Sequence, residues 1–192
     1  LFFTFIVALS RIFFTSSTNG WIVGNNGTIR KTTNGGSTWV PIEITYLNLN
    51  DVFFINDDFG WIVGDEGKIL HTTDAGATWQ DLSLPDAYYS NYSVYFTNEF
   101  DGWLTNGYGN IYKTTDGGSN WDPQFSGDSF DKDIFSIDIF SDGFLIGVGS
   151  NGAIKMTTDF GYNWINIRNG LLNSIYDIQF IDTELGWAVG LN

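Results

Sequence analysis

Four carboxylate or amide side chains recur along the chain in short polar stretches that each end at a tryptophan. They are Asn34, Asp74, Asp116 and Asp159. Oxygen ligands in such a series could hold a cation or act as acid and base. Each, however, lies two residues before a glycine in a turn sequence. There an Asp or Asn side chain accepts backbone N–H groups, and glycine adopts left-handed backbone. We therefore expect each residue to fasten its own hairpin.

Three other carboxylates are the candidates for catalysis, and the reaction that they could support is glycoside hydrolysis. Asp133, Asp138 and Asp177 lie near strands that we predict to line a central channel. The reaction needs two carboxylates about 5–10 Å apart across one cleft. The simpler interpretation is that all three are solvated polar residues of the channel, and we predict no catalytic residue.

The remaining candidates for metal or acid–base chemistry are few. The single histidine, His71, has Lys31, Lys113 and Met156 at the equivalent positions of the other repeats, so we expect it to be exposed. The chain has no cysteine, which excludes disulfides, cysteine zinc sites and thiol catalysis. It also has no phosphate-binding loop, nucleophile elbow or metal-binding histidine pair. The sequence therefore predicts no metal and no cofactor.

The elements that position these residues are copies of one repeat. Its first tryptophan recurs as Trp21, Trp61, Trp103 and Trp187, with Phe144 in the fourth copy. A period of roughly 40–45 residues is typical of propeller blades with four strands. Each copy divides into four short strands, A to D, and no helical periodicity occurs. We predict an all-β protein, a β-propeller of four-stranded antiparallel blades with four complete blades and a partial fifth.

The repeat also predicts the limits of one propeller domain over 1–192. The blades are expected at 5–43, 47–84, 90–125, 133–168 and, for the partial fifth, 174–192. Residues 5–16 align with the lead-in and strand A of the next repeat, and the alternative is a leftover signal peptide. Seven blades at this period would need roughly 290 residues. We therefore expect a fragment of a seven-bladed or larger propeller, with a naturally short propeller as the alternative.

The repeat resembles a known family. Two copies read GWIVGNNGTIRKTTNGGSTW (20–39) and GWIVGDEGKILHTTDAGATW (60–79). The turn is similar to the Asp-box, or bacterial neuraminidase, repeat. The fuller motif resembles the photosystem II stability and assembly factor family over essentially the whole chain. The resemblance implies a seven-bladed propeller, exported to the thylakoid lumen or periplasm, that binds other proteins without catalysis. Photosynthetic members carry an arginine-rich face, whereas this chain has only Arg11, Arg30 and Arg168.

The resemblance assigns structural roles to the box residues. The Asp or Asn and the glycine hold the turn, and the tryptophan covers apolar surface between neighbouring blades. These residues are Asn34, Gly36, Trp39, Asp74, Gly76, Trp79, Asp116, Gly118, Trp121, Asp159, Gly161 and Trp164. Sialidases and xyloglucanases share the box, so a glycan-binding or glycoside-hydrolase propeller is the alternative function.

The net charge of the chain limits the classes of partner that it can bind. The net charge is −14 and the isoelectric point about 4.1, so phosphate backbones and anionic membrane surfaces are repelled. No apolar stretch approaches the ~20 residues of a membrane helix. We expect an exported protein in a periplasm, a thylakoid lumen or outside the cell. Its expected partner is a protein, with a glycan as the alternative, and we expect neither nucleic acid nor membrane insertion.

The predicted binding face carries the D–A links between blades and the B–C turns within them. Variable loops on a rigid scaffold are where binding usually occurs, and exposed Tyr beside Asn and Asp suits protein or glycan recognition. The alternative is that they are ordinary solvated loops. The candidates are Tyr46, Asn48, Asn50, Asp65, Glu66, Tyr88, Tyr89, Tyr92, Tyr108, Asp128, Asp131, Arg168 and Asn169.

Overall fold

The protein is built from β-strands throughout the part of the chain that the structure describes. The computed structural model describes residues 8–83, 88–125, 133–141, 143–167, 170, 172–182 and 185–191. The chain divides into two compact units, Leu1–Tyr88 and Tyr89–Asn192. Among the described residues, no helix is both long enough and apolar enough to cross a membrane. The predicted all-β class is confirmed.

The first unit contains two four-stranded antiparallel sheets with their strands in chain order. One sheet consists of β1 (Leu9–Phe14), β2 (Gly20–Gly24), β3 (Thr28–Thr32) and β4 (Val40–Ile42). The other consists of β5 (Leu49–Phe54), β6 (Gly60–Gly64), β7 (Ile69–Thr72) and β8 (Gln80–Asp81). From Leu9 onward, the segment that could have been a signal-peptide remnant is the first strand of a blade.

The second unit contains two further four-stranded sheets and a two-stranded one. The third blade has β9 (Asn91–Phe96), β10 (Gly102–Asn106), β11 (Ile111–Thr114) and β12 (Asp122–Phe125). The fourth has β13 (Ile134–Ser141), β14 (Phe144–Gly149), β15 (Ile154–Thr157) and β16 (Ile165–Asn166), with a 3-10 turn at Ser150–Gly152. The fifth pairs β17 (Ile175–Phe180) with β18 (Gly186–Gly190). Four blades plus a partial fifth were predicted, and the sheets confirm this.

The second strand of each complete blade is its most buried part. In β2, β6 and β10 every residue is buried, which explains the continuous apolar sequence of β2 and β6. Each of these strands starts with glycine because a phenylalanine of the first strand lies across that position. A Cβ at Gly60, for example, would lie 2.3 Å from the Phe54 ring. The fourth strands β4, β8 and β16 are short and largely exposed.

A buried threonine is the hub of each box hairpin, which we define as the turn from that threonine to the box tryptophan. In the second blade, Thr72 Oγ1 donates to Asp74 Oδ1 (2.8 Å) and accepts the N–H of Gly76 (2.8 Å). Asp74 Oδ1 in turn accepts the N–H of Thr78 at 2.8 Å. The same arrangement surrounds the equivalent threonines Thr32, Thr114 and Thr157. Since an unpaired buried polar group is costly, this interlocked set closes the hairpin.

The two tryptophans of each of the first three repeats have different roles. Trp21 of the second strand is fully buried, as are Trp61 and Trp103, whereas the box tryptophans are only half-buried. Trp79 packs edge-on against Trp21 of the preceding blade, with ring centroids 5.6 Å apart. It also packs edge-on against Phe54 of its own blade at 6.1 Å. The box tryptophan therefore lies between neighbouring blades, but the second-strand tryptophan supplies the deeper burial.

The box glycine lies directly on the buried tryptophan of the preceding blade. Gly76 has φ +71°, and a Cβ added there would lie 2.2 Å from the Trp21 ring. We expect Gly36→Ala, at the same box position, to cost about 1 kcal/mol for its left-handed backbone, because its nearest neighbour is Trp39 at 3.5 Å. Gly76→Ala should cost about 2–3 kcal/mol more, because the buried indole cannot retreat. Urea denaturation of the two variants measures the difference, and equal losses would contradict the packing described.

The box carboxylates should make the stability of the protein decrease at low pH. Hydrogen bonds from the Thr78 side chain and backbone and from Thr72 lower the pKa of Asp74 to about 2. A depressed pKa contributes stability above the ordinary carboxyl value that is lost as the pH falls from about 4 toward 2. Asp74→Asn should keep the turn, because Asn34 with Thr38 makes the equivalent contacts. We expect the melting temperature of the wild type to fall toward that of Asp74→Asn as the pH is lowered over this range. If the two melting temperatures differ by the same amount at every pH, the prediction is wrong.

Candidate functional site

The links between blades and the turns between second and third strands meet at one edge of the blades, here called the loop edge. Within the first unit, Gly27 N donates to Leu47 O (2.8 Å) and Asp65 N to Asn48 O (2.9 Å). In the second unit, Gly107 N donates to Ser90 O at 3.1 Å. The box hairpins instead bond to the links between first and second strands, as Ala75 N does to Asp58 O (3.0 Å). Those candidate binding residues that the structure describes therefore lie at the edge opposite the box hairpins.

Three of the candidates in the first unit are bonded to one another. Asp65 accepts hydrogen bonds from the side-chain amides of Asn48 (2.9 Å) and Asn50 (3.3 Å). Asn48 Oδ1 also accepts the N–H of Asn26 in the preceding blade at 3.1 Å. These residues are half-buried, and their contacts join two blades. They form a structural latch, which we call the Asn48–Asp65 latch.

Two further candidates of the first unit reach into solvent. Tyr46 is 85% exposed. Glu66 is exposed at the tip of a turn, with φ +55°. Both residues are at the loop edge and are open to a partner.

The second unit presents tyrosines at its loop edge. Tyr108 is 63% exposed and Tyr89 41%. Tyr88, the last residue of the first unit, is 88% exposed. The rings of Tyr89 and Tyr108 form a tilted pair with centroids 4.5 Å apart. Tyr92 differs from them, because it is half-buried and packs edge-on against Phe135 at 5.2 Å. The other candidates, Asp128, Asp131, Arg168 and Asn169, lie outside the described residues.

Sequence reasoning named Tyr92 but missed the row of β-bulge residues to which it belongs. The register of each first strand skips one residue in its pairing with the second strand, and in the second unit these are Tyr92, Phe135 and Tyr176. A bulge turns its side chain away from the regular ladder. Phe135 contacts Tyr92 and also Tyr176, at 5.4 Å, so the bulges form an aromatic row across three blades. The signal in the sequence is the aromatic second residue of each of these strands.

The candidate catalytic carboxylates are engaged in structural bonds. Asp177 Oδ1 accepts the hydroxyl of Ser136 at 2.8 Å, and Asp138 Oδ2 accepts the N–H of Phe180 at 2.6 Å. Both tie neighbouring blades together. Asp133 Oδ1 lies 3.4 Å from the N–H of Tyr108. Burial, and after it the charge of Asp138, raises the pKa of Tyr95.

The prediction that His71 is simply exposed is wrong. Its ring lies flat on the buried Trp61, with centroids 4.7 Å apart and an angle of 11° between the planes. Burial lowers the pKa of His71. The lysines at this position likewise cover a tryptophan: Lys31 lies 5.0 Å from the Trp21 ring, and Lys113 lies 5.1 Å from the Trp103 ring. The position accepts flat or long side chains because its function is to cover an indole.

No group of three or more metal-ligating side chains comes together within the described residues. The acids that might have formed one are distributed instead over box hairpins, the latch and contacts between blades. Among the described residues, the tyrosine-bearing loop edge is a feature that remains open to a ligand.

The latch can be separated from the exposed residues by mutation. We expect Asn48→Ala to cost about 1–2 kcal/mol, because it leaves polar groups of two blades without partners. Glu66→Ala, on the same edge but exposed, should change stability by less than about 0.5 kcal/mol. Urea denaturation of both variants is the measurement. Similar small effects would show that Asn48 is only a surface residue.

Comparison with known proteins agrees with this fold. The family model of the photosynthesis system II assembly factor YCF48 matches residues 5–166. The structure titled YCF48 bound to D1 peptide is 20% identical, with a TM-score of 0.59 over 96% of this chain and 90% of that one. YCF48 from Cyanidioschyzon merolae is 24% identical, with a TM-score of 0.73 over 91% of this chain and 61% of that one.

A likeness in fold also extends to enzymes. The GH74 enzyme of Niastella koreensis is 16% identical, with a TM-score of 0.72 over 89% of this chain but only 31% of the enzyme. Curated protein sequences give no significant match. The family model covers most of the repeats described above, so the chain belongs to the YCF48 family of photosystem II assembly factors.

Proposed function

We propose that this protein is a binding scaffold of the photosystem II assembly-factor type, which holds a segment of a client protein at its loop edge and performs no reaction on it. The observation that carries the proposal is the set of exposed tyrosines on a rigid edge. Tyr88 and Tyr108 are 88% and 63% exposed, next to blades whose second strands are fully buried. Large aromatic side chains held by a rigid scaffold bind with little loss of conformational entropy.

The engagement of the carboxylates supports binding without catalysis. A general acid or nucleophile must reach a substrate atom at hydrogen-bond distance. Asp138 and Asp177 instead accept hydrogen bonds from neighbouring blades. Asp133 lies beside the backbone of Tyr108. Each of these three carboxylates therefore has an oxygen that is engaged within the fold.

A relative in the family supports a peptide as the client. The solved structure of YCF48 with a D1 peptide indicates that a member of this fold family can hold a protein segment. By the family resemblance we also propose export, to a thylakoid lumen, a periplasm or the outside of the cell. The client of this chain should differ in charge from a client that binds an arginine-rich face. Arg11, one of three arginines, lies 3.4 Å from Asp51 in the next blade.

Site-directed photocrosslinking tests the proposal. Benzoylphenylalanine placed at Tyr88 or Tyr108, on the loop edge, should crosslink one protein from an extract of the source cells. The same group at Tyr162, which is 77% exposed on a box hairpin, is the matched control and should give no such adduct. A client that is incubated with the protein without irradiation should be recovered with unchanged mass. Adducts of equal yield from both edges would contradict the proposed face.

The glycan alternative has its own readout. Incubation with xyloglucan oligosaccharides should release no reducing ends, and the oligosaccharides should not compete with the crosslinking at Tyr88. Turnover that disappears in Asp138→Asn or Asp177→Asn, with the variant still folded, would replace the scaffold proposal with a glycosidase.

A further inference from the structure

Tyr108 occupies a backbone position that disfavours its side chain. It has φ +68° at the turn between β10 and β11, where the other complete blades place Asn26, Glu66 or Asn151. Left-handed backbone is tolerated by Asn and Gly and is costly for a bulky residue. Strain of this kind persists where it serves a function. The turn exposes the Tyr108 ring to solvent, paired with Tyr89.

A carboxylate lies beside this pair. Asp133 Oδ1 is 3.4 Å from the backbone nitrogen of Tyr108. A Cβ added at Gly107 would lie 3.4 Å from Asp133 Oδ1 and 3.7 Å from Tyr89 Cβ. Gly107 and Asp133 are also paired as an isolated β-bridge between the third and fourth blades. Two aromatic rings beside a carboxylate attract a cation, because ring faces and carboxylate are all negative in potential.

The aromatic row continues the same edge toward the fifth blade. Tyr92 is three residues after Tyr89, and Phe135 is two residues after Asp133, so the row begins next to the pair. Tyr176, at the end of the row, is 49% exposed. The row passes over three first strands, a length that suits an extended segment better than a single small molecule.

The charge of this unit favours a cationic occupant. Residues 89–192 contain 13 Asp and Glu against four Lys and Arg, a net charge of −9. Of the two described lysines of the unit, Lys113 covers Trp103 and Lys155 is buried on β15. Neither therefore offsets the acids at the loop edge. We infer that the Tyr89–Tyr108 pair, Asp133 and the aromatic row bind an extended cationic peptide segment, with a Lys or Arg side chain on the tyrosine pair.

This inference rests on the proposed function and specifies the chemistry of its client. Fluorescence anisotropy tests it with a labelled peptide of alternating Arg and Ala, and with its Glu–Ala counterpart. The Arg–Ala peptide should bind and the Glu–Ala peptide should not, and salt should weaken the binding. In Tyr89→Leu/Tyr108→Asn the affinity should fall about tenfold, since the cation loses its aromatic contacts while every charge is kept. Asp133→Asn should weaken it a few-fold.

Two controls exclude trivial causes. Tyr162→Leu removes an exposed tyrosine from a box hairpin and should leave the affinity unchanged. Tyr108→Asn alone should melt at the same or a higher temperature than the wild type, because Asn suits its backbone, so a loss of affinity in this single variant cannot be attributed to unfolding. If the double variant binds the Arg–Ala peptide as well as the wild type, only the general field of an acidic protein acts and the inference is overturned.

The remaining outcomes separate this inference from the proposed function. Binding of the Glu–Ala peptide, or of xyloglucan oligosaccharides in place of the Arg–Ala peptide, also overturns it. If a client still crosslinks at Tyr88 in either case, the scaffold function stands and only the cationic segment is wrong. If no client crosslinks at the loop edge, the proposed function itself fails.

Discussion

The buried tryptophan of the second strand is the contact on which the rest of each blade depends. The Trp21 ring is stacked on Phe54 of the next blade, with centroids 5.0 Å apart and planes 13° apart. Trp79 packs against its edge and Lys31 lies over it. Its surroundings come from two blades, so neither blade can bury the indole alone. An indole is among the largest apolar surfaces that a chain can remove from water, and this contact therefore couples the first blade to the second.

The same contact explains the constant part of the box. The box of the following blade must approach the indole without a side chain, as Gly76 does over Trp21 and Gly161 over Trp103. Only a turn with left-handed backbone allows this, and the buried threonine with its Asp or Asn partner holds the turn closed. Lys31 adds a bond to the carbonyl of Ala75 in that turn at 2.6 Å. The box edge is thereby committed to holding blades together.

The side chains of the loop edge differ between the two units, whereas the box glycine lies on a buried tryptophan in both. In the first unit Asn50 stands at the bulge of its strand and joins Asn48 and Asp65 in the latch. In the second unit the bulges carry aromatic rings that contact from blade to blade. The backbone geometry is the same in both. The side chain placed on it decides whether the edge closes on itself or is presented to a partner.

The periodicity of the sequence was sufficient to predict the architecture. The spacing of tryptophans and glycines predicted four-stranded blades, and the strands follow it. The apolar second strands and the glycine turns each favour the same blade, so local preferences and the overall fold agree. The turn role of Asp74 and its equivalents also followed from local chemistry. These features are determined over a few neighbouring residues, so they are visible in the sequence itself.

What the tertiary structure alone decided depends on contacts between residues far apart in the chain. His71 resembled a variable surface residue, but Trp61 on the adjacent strand makes it a stacking residue. Asn48 and Asp65 were predicted as binding residues, and the structure adds that they bond to one another. Tyr92 and Tyr176 lie 84 positions apart in the sequence and belong to one row because bulges in three blades bring them to one edge. Register and bulges place side chains on a face, and this placement arises only when the blades pack.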